Sequence, residues 1–127
     1  MRLSGSGFKR GFVLTRGHQM ATAEQLNQAI ALIQGNQHAD AEAFLTPLLN
    51  QSATDADVWQ LIALARKGQL DLAGAEVAFK QSIDLQAAPS VVTNLGNLYR
   101  QMGREADALD CYNRARHGRR RRQRGLD

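Results

Sequence analysis

A chain of 127 residues, 43% hydrophobic and 22% charged, has the size and composition of one folded domain with a modest core. Its net charge of +4 is unevenly spread: residues 1–19 hold four bases and no acid, residues 20–115 six bases and eleven acids, and residues 116–127 six arginines and one acid. The single cysteine, Cys111, excludes an internal disulfide, no run approaches the roughly 18 apolar residues of a membrane helix, and Phe12-Val13-Leu14 is too short for a signal-peptide core.

Residues 1–20 read as a disordered basic leader, rich in glycine, serine and bases. Gly5, Gly7 and Gly11 lack the dinucleotide-binding spacing, and no strand precedes them. The leader is acid-free like a transit peptide, but so much glycine makes a poor amphipathic helix. A further reading starts translation at Met20, because helical logic resumes there with Thr22 as an N-cap.

From Ala21 the apolar spacing is helical. Leu26, Ala29, Ile30, Leu32 and Ile33 share one broad face, and Gly35-Asn36 breaks the pattern. A second helix carries Ala39, Ala41, Ala43, Phe44, Leu45, Leu48 and Leu49, with Pro47 well inside it. Proline there costs ~3 kcal/mol or forces a kink, so a bend near Thr46 is expected. Gln51 to Asp55 form a turn leading to a capped start. Val58, Trp59, Leu61, Ile62, Leu64 and Ala65 make the third helix, stopped at Lys67-Gly68. Leu70 to Leu85 make the fourth, with Leu72, Ala75, Phe79 and Ile83 inward. Val91, Val92, Leu95, Leu98, Tyr99 and Met102 make the fifth, ended by Gly103, and Ala106, Ala108, Leu109, Tyr112 and Ala115 the sixth. The short linkers make successive helices antiparallel neighbours.

The period separates a bundle from a stack. Shifted back by 33, Leu95 falls on Ile62, Gly96 on Ala63, Ala108 on Ala75 and Tyr112 on Phe79. A further 34 gives Ala41 and Leu45 for Ala75 and Phe79. Small residues recur on small ones and large on large. Val92-x-x-Leu95-Gly96-x-x-Tyr99, followed by Ala108-x-x-x-Tyr112, resembles the tetratricopeptide repeat, a helical hairpin of about 34 residues. Trp59 and Ala75-x-x-x-Phe79 carry the same signature in the middle repeat. The resemblance spans three repeats, residues 22–55, 56–88 and 89–117, within a domain of residues 21–117. It implies an all-α, right-handed α-solenoid of three antiparallel hairpins, six helices in all. Departures are Arg66 in place of an aromatic, Gly68 two residues early in its turn, and Gln25 and Gln28 in place of Trp and Leu.

No catalytic constellation stands in the sequence, so the expectation is a non-enzyme with no cofactor and no metal. His18, His38 and His117 lie in the leader, a turn and the tail, and Cys111 reads as a small, semi-buried thiol. The resemblance implies protein binding, because the first helix of each hairpin lines a concave groove that holds a peptide or helix of a partner. The candidate groove residues are Asn27 and Gln34, then Asp57, Gln60 and Lys67, then Thr93, Asn94, Asn97, Arg100 and Gln101. Residues 118–127 read as a disordered tail whose Arg119, Arg120, Arg121, Arg122 and Arg124 would bind phosphate. That gives one alternative, weak nucleic-acid binding, with no aromatic interleaved for base stacking. A second is that the chain is the amino-terminal segment of a larger sulfotransferase or glycosyltransferase. Neither a repeat nor a polar capping helix follows the third hairpin, so Leu109 and Tyr112 are expected to be poorly covered and open to oligomer contacts. The expected location is cytoplasmic.

Overall fold

Thr22 starts the first helix as the sequence leads one to expect, and Gln25 completes the arrangement. The Gln25 amide donates to Thr22 Oγ1 at 3.1 Å, and the Thr22 amide donates back to Gln25 Oε1 at 2.9 Å. This reciprocal capping box satisfies two otherwise unpaired amides. It also accounts for a glutamine where the repeat pattern asks for tryptophan. The computed structural model describes residues 20–125. These residues form α1 (Ala23–Gln34), α2 (His38–Leu45), α3 (Leu49–Ser52), α4 (Ala56–Gly68), α5 (Leu72–Leu85), α6 (Pro89–Gln101) and α7 (Glu105–Gly125). A 3-10 turn, Thr46–Leu48, joins α2 to α3. That turn holds Pro47 and puts the bend at the expected place, with Thr46 Oγ1 donating to the Glu42 carbonyl at 2.8 Å.

Treating α2, the 3-10 turn and α3 as one arm leaves six arms in three antiparallel hairpins. Within hairpins α4 packs on α5 and α6 on α7. Between them α2 packs on α4 and α5 on α6. The stack is a right-handed, tetratricopeptide-like α-solenoid. One apolar interior runs through all three hairpins, from Ala29 and Leu45 through Ile62 and Phe79 to Leu98 and Ala115. At Gly96 an added Cβ would stand 2.8 Å from the Tyr112 ring and 3.1 Å from Cys111 Cβ. Glycine there sets how closely α7 approaches α6, as the sequence reading expects.

The three hairpin turns share one backbone device. Asn36, Leu70 and Gly103 adopt positive φ of 63°, 65° and 80°. The residue after each donates back across the turn: Gln37 to Leu32, Asp71 to Arg66 and Arg104 to Tyr99, at 2.8–2.9 Å. Helices commonly end on such a left-handed residue, normally glycine or asparagine. In the middle hairpin the glycine sits two residues early, and Leu70 carries the left-handed conformation instead. So Leu70 belongs to the turn and α5 begins at Leu72, capped by Asp71. Gly68 serves another purpose: a Cβ there would collide with the His38 ring. A left-handed L-residue costs ~1–2 kcal/mol, and Leu70 is 72% exposed, so it returns little packing. Leu70→Gly should therefore stabilise the chain by about 0.5–1 kcal/mol after the entropy that glycine adds to the unfolded state. Thermal melts would read this as a rise of about 2–8 °C; an unchanged or lower midpoint would contradict the strain.

Several apolar residues assigned to inner faces point outward. Ala39, Ala43 and Ala106 are exposed; Ile30 is 37% and Leu109 61% exposed. Leu109 is exposed as expected, whereas Tyr112, also expected to be poorly covered, is half-buried and packs against the core. The helical backbone of α7 continues to Gly125, through residues read from sequence as an irregular tail. Arginine is a good helix former, and no proline intervenes. The leader, residues 1–19, lies outside the described residues.

A polar seam repeats between hairpins and accounts for Arg66. Glu42 accepts from Arg66 Nε at 2.9 Å and from Gln69 Nε2 at 2.8 Å. Thirty-four residues on, Glu76 accepts from the Tyr99 hydroxyl at 2.9 Å and from Arg104 Nη1 at 3.1 Å. Arg104 also lies over the Tyr99 ring, 4.4 Å from its centre. Arginine and tyrosine thus serve equivalent places as donors to the preceding glutamate. The Arg66 hydrogen bond holds the Glu42 carboxyl below its ordinary value. Burial pushes Glu76 upward, but Lys80, Tyr99 and Arg104 outweigh it and the net shift is downward. For a carboxyl lowered in the folded state, the stabilisation is complete above the unfolded value and is lost as pH falls through the folded one. Acid destabilisation should therefore set in below about pH 4.3, and it should flatten in the Glu42→Gln/Glu76→Gln double variant. Thermal melts from pH 7 to 2.5 test this; an identical acid limb in the double variant would contradict it.

Candidate partner-binding groove

The first helices of the three hairpins are α1, α4 and α6. Their exposed and half-buried residues fall into columns 33 or 34 residues apart. Leu26, Gln60 and Thr93 form one column, Ile30, Leu64 and Asn97 the next, and Ile33, Lys67 and Arg100 the third. Between α1 and α4 the surface opens into a cleft of ≈ 310 Å³, lined by Leu26, Ile30, Asp57, Gln60, Leu61 and Leu64. Leu26 and Leu64 are half-buried, Ile30 is exposed, and Leu61 is buried at the base.

Asp55 anchors the start of α4, two residues before the cleft-lining Asp57. Its side chain accepts from the amides of Asp57 at 3.0 Å and Val58 at 3.4 Å, capping α4, and from Ala21 at 2.9 Å. One buried carboxylate thus fixes both the start of α4 and the approach of the chain to α1. The cap leaves Asp57 in the first turn of α4, on the rim of the cleft. Lys67 and Arg100 lie in the last turns of α4 and α6, where cations meet the partial negative charge of the helix ends. Among the described residues neither forms a salt bridge.

Of the residues singled out from sequence, Asp57 and Gln60 line the cleft. Lys67, Thr93 and Asn94 are half-buried, while Asn27, Gln34, Arg100 and Gln101 are exposed. Asn97 is exposed but engaged: its Oδ1 accepts from the Tyr112 hydroxyl at 2.6 Å. The side chains of Arg119 to Arg122 and Arg124 lie outside the described ones. Sequence reasoning assigned Leu26, Ile30, Leu61 and Leu64 to the inner faces. Leu61 is in the core and Leu26 and Leu64 pack against it, but Ile30 is exposed. That all four also line the cleft was missed. The signal was in the columns, where Leu26 and Ile30 stand at places held by polar residues in the third hairpin.

A second cleft, of ≈ 250 Å³, lies between α5, α6 and α7 and mixes Lys80 and Arg114 with Asp84, Asp107 and Asp110. Cys111 at its floor is buried, and that burial pushes the thiol pKa up, which makes it a poor nucleophile. Among the described residues no helix is long and apolar enough to cross a membrane, and no cluster of three metal-ligating side chains forms.

No family model and no curated protein sequence matches the chain. Solved structures do. MamA from Desulfovibrio magneticus RS-1 superposes with a TM-score of 0.72 at 18% identity, over 76% of this chain and 55% of that one. The type III secretion translocator chaperone SycD of Yersinia enterocolitica gives 0.70 at 15% identity, over 74% of this chain and 72% of that one. MamA of MSR-1 gives 0.69 at 18% identity, over 76% and 56%. MamA and SycD are tetratricopeptide-like helical repeat proteins, and the likeness extends to the fold. The chain spans about half the length of the MamA chains it matches.

Proposed function

We propose that this chain is a protein-interaction module of the tetratricopeptide repeat kind, which captures an amphipathic peptide or helix of a partner protein along α1, α4 and α6. The observation that carries the reading is the α1/α4 cleft, where Ile30 is exposed and Leu26 and Leu64 are only half-buried. Preformed apolar grooves take the apolar face of a partner helix through a few spaced anchors. The columns grade from Leu26, Ile30 and Ile33 on α1 to Thr93, Asn97 and Arg100 on α6. A fitting partner carries two or three apolar anchors for the α1 side, then polar groups. A carboxylate at its far end would meet Lys67 and Arg100. Rigid helices keep the ordering cost of binding low. The module acts by binding alone, without turnover.

The test is selection of displayed peptides on the full chain, followed by anisotropy titration of the selected peptides against Ile30→Ser/Gln60→Ala, with the fold checked by circular dichroism. The expected result is apolar-anchored peptides that bind this variant at least tenfold more weakly, a loss of about 1.4 kcal/mol. Peptides that bind both proteins equally would refute the cleft as the binding surface.

A further inference from the structure

We propose that Phe8–Leu14 of this same chain, the apolar stretch of the basic leader, is an intramolecular ligand of the α1/α4 cleft and competes there with the partner. The proposal rests on the reading of that cleft as a binding surface. Its first support is position. Ala21 is pinned by its 2.9 Å bond to Asp55, two residues before the cleft-lining Asp57, and the cleft-lining Leu26 lies five residues after it. The five residues from 15 to 19 reach up to about 18 Å when extended. The stretch of α1 between Leu26 and Ile30 is only about 6 Å long. The leader's apolar residues are therefore within range of the whole cleft.

The second support is chemistry. The leader places Phe8, Phe12, Val13 and Leu14 among Lys9, Arg10 and Arg16, with no acid in residues 1–19. The cleft offers Leu26, Ile30, Leu61 and Leu64 to the apolar side chains. Asp57 lines the cleft with a charge opposite to the leader's bases, and residues 20–115 carry an excess of acids. The α5–α7 cleft fits less well: it holds Lys80 and Arg114 beside its carboxylates and belongs to the opposite end of the stack. Tethering supplies the rest. A short linker holds its ligand at an effective concentration on the order of millimolar. A contact too weak to form between separate molecules is then populated, and a tighter partner displaces it.

The experiment uses the full chain with Cys111→Ala and Ser6→Cys, a nitroxide attached at position 6, and amide spectra of isotope-labelled protein. Leu26, Ile30, Leu61 and Leu64 should lose at least half their amide intensity, while Leu109 keeps its own. Adding Phe12→Ser/Leu14→Ser should restore the lost intensity. Equal intensities with and without those substitutions would overturn the proposal. So would broadening that appears when spin-labelled, isotopically silent chain is mixed with unlabelled-spin, isotope-labelled chain, since the occupant would then come from a second copy. The peptides selected above should bind Phe12→Ser/Leu14→Ser about threefold or more tighter than the parent chain; unchanged affinity overturns the competition. The two readings fail separately. Peptides that need Ile30 while the leader causes no local broadening sink the leader contact alone. Leader-dependent broadening with peptides indifferent to Ile30 sinks the partner groove alone.

Discussion

Phe79→Ala will lower the stability of the chain by about 3–5 kcal/mol, the usual cost of emptying a fully buried phenylalanine site. Phe79 heads the fully buried side chains by volume. It stands on α5, which packs on α4 within its hairpin and on α6 of the next. Its loss therefore weakens both a hairpin and the junction to its neighbour. In a linear stack, stability is the sum of hairpin terms and nearest-neighbour terms, so both are reduced together. Total stability of a domain this size is about 5–15 kcal/mol, and the substitution removes a large share of it. Phe79→Leu, which keeps most of the volume, should cost under about 1.5 kcal/mol. Urea unfolding followed by circular dichroism measures both. A loss below about 1 kcal/mol for the alanine variant would mean that the shared interior is not what holds the hairpins together.

Asp55→Ala comes second, at about 2–4 kcal/mol. Asp55 is 1% exposed, and its two oxygens serve three amides, those of Ala21, Asp57 and Val58. Losing an N-cap costs about 0.5–2 kcal/mol, and stranding a further half-buried donor costs about 1–3 kcal/mol. Asp55→Asn keeps one acceptor oxygen and should recover about half of the loss. The distinguishing readout is amide exchange, which should rise at Ala21 as well as at Asp57 and Val58. Ala21 is 34 residues away in sequence, so faster exchange confined to α4 would mean that Asp55 is only a cap.

The repeat was legible because its packing positions are spaced in sequence. Gly96, Ala63, Ala75 and Ala108 recur where helices approach closely, and Phe79 and Tyr112 where they must fill space. A close approach admits only small side chains, so geometry is written directly into residue size. Thr22, Asp55 and the Pro47 bend were legible for a related reason, since capping and proline effects act within a few residues. The turn at Leu70 was harder. Its glycine is displaced to Gly68, and the reason for that glycine, the His38 ring, lies on another hairpin.

The candidate groove was half legible. Asp57 and Gln60 could be named because a polar residue on a helix with an apolar face must point away from the core. Leu26, Ile30 and Leu64 could not, because an apolar side chain reads the same whether a neighbouring helix covers it fully, partly or not at all. The sequence by itself determined the helices, their caps, the period and therefore the solenoid, since each depends on local chemistry or on size at fixed spacing. Tertiary structure alone decided which apolar side chains remain uncovered, which glutamate meets which donor, and that Asn97 is held by Tyr112. Those outcomes depend on the angle and offset between hairpins, and that geometry is set by the sum of many contacts, with no single residue to record it.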